Sequence, residues 1–367
     1  MPTAPRVRQG MTLGLVFGAV LFAGAASGAW GEPIGSPQAP SSSDAARPAS
    51  HDLSGADLSP QQAQRLVGES GDRWAAYLSP QQYRDFTGGR YPGVGLSVDR
   101  AGGGTTEVAE VLPGSPAARA GIEAGDRLVR VDGVAAEQLP VTEVVARLRG
   151  GPAGTPVALA VQGSAGPVRE LTLTRTELAT REVEVAHPRP GVAQIAVHAF
   201  TEGVADQVRA AAAGAQGVVL DLRGNSGGLV EEAVATASVF LDGGPVASYQ
   251  VHGEHRELAA APGGDTAVPL VVLVDGGTMS AAELLAGALQ DRCRAVLVGT
   301  RTFGKGSVQQ PSRLADGSVL ELTVGRYQTP AGHSPEGTGL QPDVPAPADD
   351  DAAPLALKVL DGLRTRT

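Results

Sequence analysis

The residues best suited to do chemistry lie in two glycine-rich segments. The first is Asp275-Gly276-Gly277-Thr278-Met279-Ser280-Ala281-Ala282-Glu283, which joins an apolar strand-like run to an Ala/Leu-rich helical run. A serine at that junction holds its hydroxyl at a helix N-terminus, where free N–H groups and the positive dipole end can steady a developing oxyanion. The same spacing, Ser280-x-x-Glu283, also reads as a capping box, so this stretch alone leaves a purely structural serine open. The second segment is Thr302-Phe303-Gly304-Lys305-Gly306-Ser307-Val308-Gln309. A lysine between two glycines, after a buried strand, is an odd position for a surface charge. Stripped of water, such an amine moves toward its neutral form and can take a proton from a serine, with Gln309 as a candidate to orient it. A solvated turn lysine is the plain alternative. A phosphate loop is the other, since Gly299-x4-Gly304-Lys305 begins like one, but Gly306 stands where Ser or Thr would hold magnesium.

Other constellations are weaker. Gly224-Asn225-Ser226-Gly227-Gly228 looks like the nucleophile loop of trypsin-like proteases, yet His51, His187 and His198, the histidines before it, lack a catalytic context. A glycine-rich loop after a strand is better suited to presenting backbone N–H groups. His252-Gly253-Glu254-His255 has the wrong order for a zinc-binding His-Glu-x-x-His, so a solvated loop is expected and no metal. Cys293 is alone, which excludes a disulfide framework and a thiolate zinc site.

The positioning elements follow from periodicity. After the spacer, Ser59-Pro60 and Ser79-Pro80 each open a short helix. From Tyr91, five short β-like runs with Gly/Pro turns, interrupted by helical SPAARAG and LPVTEVVARLRG, predict a small β-barrel with two helices. From about residue 180, strands such as QGVVLDLRG and PLVVLVDGG alternate with helices such as SAAELLAGALQDR. That alternation predicts α/β layers rich in parallel sheet. The expected divisions are 1–30 export segment, 31–55 Pro/Ser/Ala-rich linker, 56–90 helical segment, 91–176 β-barrel, 177–348 α/β core and 349–367 tail helix.

Bulk properties bound the reading. At 367 residues with 42% hydrophobic content, two folded units are expected, and only 4% aromatics leaves Ala, Val and Leu to fill the cores. The net charge of −10 argues against nucleic acid or an anionic membrane as partner. Arg6 and Arg8 precede the apolar run 11–26, which ends in small residues, the pattern of an export signal or a membrane anchor. Both readings put the remainder outside the cytoplasm.

Taken in order, RWAAYLSPQQYRDF, YPGVGLSV, GSPAARAGIEAGDRLVRVDG, VVLDLRGNSGG, GGTMSAAE, GTRTFGKGSVQ and RYQTPAGHSPEGTGLQPDV resemble the carboxy-terminal processing peptidases, or tail-specific proteases, across about three quarters of the chain. The resemblance implies a crotonase-like or Clp-protease-like α/β core with an inserted PDZ domain and no cofactor. It implies Ser280 as nucleophile, Lys305 as general base and Gln309 as its support. Ala281 N–H would be one oxyanion donor, and Gly228, or else Gly227, the other. Gly93, Val94, Gly95 and Leu96 would form the carboxylate-binding loop for free C-terminal tails of protein substrates. A PDZ adaptor without activity and a crotonase-type acyl-CoA enzyme are the rival classes; both dyad residues are present, which argues against the first, and the PDZ stretch against the second. Homo-oligomerisation and membrane association through residues 11–26 stay open.

Overall fold

The computed structural model describes residues 58–101, 105–163, 166–251, 254–347 and 351–365. The apolar run 11–26 and the spacer at 31–55 lie outside them. Among the described residues no helix is long and apolar enough to cross a membrane. The chain divides into two compact units.

The smaller unit joins residues up to Arg84 with 309–324. Helix α1 (Pro60–Glu69) opens with Ser59 as N-cap and Pro60 at its first position, and Gln62 closes the capping box. The chain then forms a short strand, β1 (Ala76–Leu78), before the second Ser-Pro start launches α2 (Pro80–Thr87). Strand β1 pairs antiparallel with residues 319–321, and Ala63, Leu314 and Leu320 form a small core beside it. Asp72 accepts from the Thr323 N–H at 2.8 Å and the Thr323 hydroxyl at 3.1 Å, fixing the turn that precedes β1.

The larger unit contains an antiparallel module and an α/β core. In the module, β2 (Arg90–Gly93) pairs with β9 (Thr176–Ala179), while β3 (Leu96–Arg100), β4 (Thr106–Val111), β5 (Arg127–Val131), β7 (Pro156–Gln162) and β8 (Val168–Thr174) follow one another in an antiparallel sheet. The two-residue strand β6 (Val134–Ala135) pairs with β5. Helices α3 (Pro116–Arg119) and α4 (Val141–Arg149) interrupt the strands where the sequence places them. Val98, Leu128, Val144, Leu148 and Leu159 make one core, so α4 lies on the sheet through its apolar stripe.

Six strands build the α/β sheet, in the order β10 (Val183–Arg189), β11 (Val192–Val197), β12 (Gly217–Asp221), β15 (Leu270–Val274), β16 (Val296–Gly299), β19 (Val344–Pro345). Only the β10–β11 pair is antiparallel. Strands β12 and β15 are buried throughout. Their period of two divides them between faces. Val218, Leu220, Leu270 and Val272 pack with α5 (Val204–Ala212), α6 (Val230–Phe240) and α7 (Ala281–Asp291). Val219, Val271 and Leu273 pack with Ala356 and Leu360 of α8 (Ala353–Arg364). A hairpin of β13 (Pro245–Val251) and β14 (Glu254–Ala259) stands outside the sheet, with Tyr249 of β13 opposite Tyr327 on β18 (Val319–Gln328). Strand β17 (Ser307–Arg313) follows the Lys305 loop and pairs with β18. The chain crosses between module and core at two adjacent points, where the Thr180 N–H and hydroxyl both donate to the Gly89 carbonyl, at 2.8 and 2.7 Å.

Candidate active site

The loops after β12, β15 and β16 converge at the carboxyl ends of parallel strands, where open α/β sheets place their sites. Ser280 sits between β15 and α7 with φ 58° and ψ −118°, a left-handed backbone that a side chain adopts only against local preference, at roughly 1–3 kcal/mol. Such a strained strand-to-helix turn pushes a side chain out of the backbone path. The loop is held by Asp275, whose Oδ1 accepts from Gly224 N–H and Gly277 N–H, both at 2.9 Å. Buried Thr278 donates its hydroxyl to the Leu222 carbonyl at 2.9 Å. Met279 N–H reaches the Asn225 carbonyl at 2.8 Å. The serine loop and the glycine loop are therefore one hydrogen-bonded assembly.

Within the glycine loop, the N–H of Gly227 is already committed. It donates to Oδ1 of fully buried Asn225 at 2.8 Å, while Asn225 Nδ2 donates to the Val197 carbonyl at 2.8 Å. Neither Gly228 N–H nor Ala281 N–H donates a hydrogen bond among the described residues. A Cβ added at Gly227 would lie 2.9 Å from Ser280 Cβ and 3.2 Å from Ala281 N, so glycine lets this backbone approach the serine closely. Arg223 braces the start of the loop, reaching Asp221 at 2.6 Å and Asp351 at 3.0 Å. These carboxylates raise its pKa above the usual arginine range.

Glu283 links the serine to the lysine. It is fully buried and takes four donors: Ser280 N–H (3.0 Å) and Lys305 N–H (2.8 Å) on Oε2, and the Thr302 hydroxyl (2.5 Å) and Gly304 N–H (2.8 Å) on Oε1. Such a set compensates a desolvated carboxylate that would otherwise cost several kcal/mol. The Lys305 loop is also held from its other side. Glu336 Oε2 accepts from Gly306 N–H at 2.7 Å, and Tyr327 N–H donates to the Gly306 carbonyl at 2.9 Å. The hydroxyl of buried Tyr327 then donates to the Ser280 carbonyl at 3.2 Å. Burial pushes the Tyr327 phenol well above its ordinary pKa, and the negative charges of Glu283 and Glu336 add to this, so it stays a donor.

The capping-box spacing at Ser280-x-x-Glu283 thus carries more than a cap. Glu283 and Tyr327 are the residues that reasoning from sequence missed. Glu283 had one sequence signal, the Ser-x-x-Glu spacing within an apolar run that buries it, and Tyr327 had none.

Comparison with known proteins matches this geometry to a family. The family model for peptidase family S41 covers residues 191–346, and a PDZ domain model covers 107–163. A carboxyl-terminal-processing protease from a Picosynechococcus species is 37% identical over 309 residues, spanning 78% of this chain and 74% of that protein. The chain belongs to peptidase family S41. A carboxyl-terminal-processing protease from a Synechocystis species is 36% identical over 282 residues, 72% of this chain and 66% of that relative. Among solved structures, a photosystem II D1 C-terminal processing protease superposes with a TM-score of 0.51 at 32% identity, covering 83% of this chain and 87% of that one. The S41 family to which the chain belongs comprises serine-type peptidases, and its α/β core with an inserted PDZ domain is the architecture described above.

The remaining residues singled out in the S41 chain fall as follows. Gly93 ends β2, Leu96 begins β3, and Val94 and Gly95 form the link between them. Val94 is buried, and a Cβ on Gly95 (φ 80°) would meet Ser115 Cβ at 2.2 Å. The Val94 and Gly95 carbonyls accept from Ala117 and Leu112, both at 2.9 Å, while their N–H groups donate to nothing among the described residues. Strand β3 is an edge strand of its sheet. Beside it, the Arg149 guanidinium stacks over the Tyr91 ring at 4.3 Å, with burial lowering the arginine pKa. Gln309 lies on β17 in the smaller unit, where its Nε2 donates to the Thr323 hydroxyl at 3.1 Å. Ser226 makes no hydrogen bond to a histidine among the described residues. His255 is exposed on β14, and His252 lies outside the described residues.

Proposed function

We propose that this chain is an exported serine endopeptidase that cleaves proteins near their carboxyl termini, with Ser280 as nucleophile and Lys305 as general base. The observation that carries this reading is the shared acceptor: the residues bearing the hydroxyl and the amine both donate their backbone N–H to Glu283 Oε2. In the reaction, Ser280 Oγ attacks the scissile carbonyl carbon while neutral Lys305 Nζ takes its proton. The carbonyl oxygen becomes an oxyanion between the N–H groups of Gly228 and Ala281; neither donates a hydrogen bond among the described residues, which supports this pairing over Gly227. Collapse expels the amine, which takes the proton from the Lys305 ammonium and leaves an acyl-enzyme. Lys305 then deprotonates a water that releases the acid and restores the serine. Gln309 keeps the orienting role that the family resemblance implies.

The PDZ loop supplies recognition. A terminal carboxylate would be received by the N–H groups of Val94 and Gly95, and the substrate tail would extend along the edge of β3. Export, through a cleaved signal or an anchor at residues 11–26, is part of this proposal and rests on the apolar run behind Arg6 and Arg8. Incubating the purified chain with an unfolded protein, with and without Ser280→Ala, tests the reading. Cleavage that survives the substitution contradicts it, and binding without cleavage by the wild type favours an adaptor.

A further inference from the structure

Phe303 is the one aromatic among the strongly exposed large apolar residues of the described chain, at 48% exposure. An exposed ring on a mobile turn would mean little, but this one is presented on a fixed backbone. Its own N–H donates to the Thr278 carbonyl at 3.0 Å, two residues before Ser280. Thr302 on one side gives its hydroxyl to Glu283 and its N–H to the Leu340 carbonyl at 3.1 Å. Gly304 on the other side gives its N–H to Glu283 at 2.8 Å and accepts from Gly337 N–H at 2.9 Å. The backbone therefore cannot withdraw the ring from water.

Burial along the loop alternates. Thr302, Gly304 and Gly306 are buried, whereas Phe303 is exposed and Lys305 only partly covered. A Cβ on Gly304 would lie 3.0 Å from Gly339 N, and one on Gly306 2.8 Å from Glu336 N, so this side of the loop is pressed onto the 334–339 turn. Of the bulky side chains on this stretch, Phe303 is the one most open to water. Apolar area held in water gains free energy from any partner that covers it, and the partner that reaches this loop during turnover is the peptide being cut.

We propose that the Phe303 ring is the wall of a subsite that receives an apolar side chain flanking the scissile bond, so that Phe303 determines specificity. This rests on the Ser280/Lys305 reading above. The binding energy of that side chain holds the peptide against the base and the nucleophile, and a charged side chain at the same position is disfavoured because the ring would strip its water without pairing it.

The test uses full-length chain and two peptide series, varied at the residue on either side of one cleavage point among Leu, Phe, Gly and Asp. Wild type is expected to prefer Leu and Phe at one of the two positions. Phe303→Ala should lower kcat/KM for those peptides about tenfold, chiefly through KM, with little change for Gly. Phe303→Leu should restore most of the preference, and an unchanged thermal midpoint keeps misfolding out of the comparison. A uniform fall in kcat for all peptides, or an unaltered preference at both positions, overturns the subsite while leaving the dyad intact. Cleavage by Ser280→Ala overturns the catalytic reading itself, and the subsite with it.

Discussion

The N–H groups of Ser280 and Lys305 converge on a single atom, Glu283 Oε2, at 3.0 and 2.8 Å. Two segments separated by the whole of α7 and β16 are registered against each other by one buried carboxylate. Replacing Glu283 by Ala removes the acceptor for four donors, and Glu283→Gln keeps the shape but presents an amide to N–H groups that need acceptors. Both should lower kcat by about 100-fold or more, since small displacements of reacting groups cost on that order. Peptide-tail binding to the PDZ domain should be unchanged. Steady-state kinetics with a tail-binding titration checks this, and near-normal kcat in Glu283→Gln would contradict it.

The glycine loop predicts two different failures. A Cβ at Gly228 (φ 130°) would lie 2.3 Å from the Phe200 carbonyl oxygen, a backbone clash that the rest of the loop cannot relieve. Gly228→Ala should destabilise the fold by about 2–4 kcal/mol. At Gly227 the obstacle is Ser280 Cβ, so Gly227→Ala should fold more nearly normally while losing most activity. Thermal melts beside activity assays separate the two, and the reverse order would contradict this arrangement.

The strand-helix alternation after residue 180 exposed the parallel sheet because β12 and β15 are apolar on both faces. The hairpin β13–β14 was not legible, since β14 reads Glu-His-Arg-Glu-Leu-Ala and stays almost wholly exposed. Strand β1 was hidden for another reason. Its partner lies some 240 positions away, at residues 319–321, and three residues carry no periodicity. At the site, Ser280 and Lys305 stood out by their glycine settings. Glu283 did not, because a capping box accounts locally for the same spacing, and only the tertiary approach of the Lys305 loop reveals its second task.

At the junction of PDZ domain and core, Glu182 is 5% exposed and its Oε2 has no partner among the described residues. Burial pushes its carboxyl above the usual 4.5, only partly offset by the Thr180 hydroxyl and the charge of His198. With the folded pKa raised, the native state holds the proton longer than the unfolded chain. This contribution to stability is present below the ordinary carboxylate pKa and is lost as pH rises through the folded value. Glu182→Gln should remove that slope and raise the thermal midpoint near neutrality by roughly 2 °C or more. Parallel midpoint-versus-pH curves for the two proteins would contradict the assignment.

In the proposed reading, a substrate's terminal carboxylate meets the N–H groups of Val94 and Gly95, which donate to nothing among the described residues. Amidating a peptide's last residue removes the charge they would meet and leaves the scissile bond intact. The amidated peptide should be cut severalfold less efficiently at low concentration, through KM. Equal cleavage of amidated and free-acid peptides would mean that the PDZ domain does not read the terminus.

The central claim is that Ser280 and Lys305 act as one unit. Turnover of an unfolded protein by wild type, Ser280→Ala, Lys305→Ala and the double variant tests it most directly. Because partners in one catalytic step lose nearly everything at the first deletion, each single variant should be inactive and the double variant no worse. Substantial activity in either single variant, or losses that multiply in the double variant, would contradict the account.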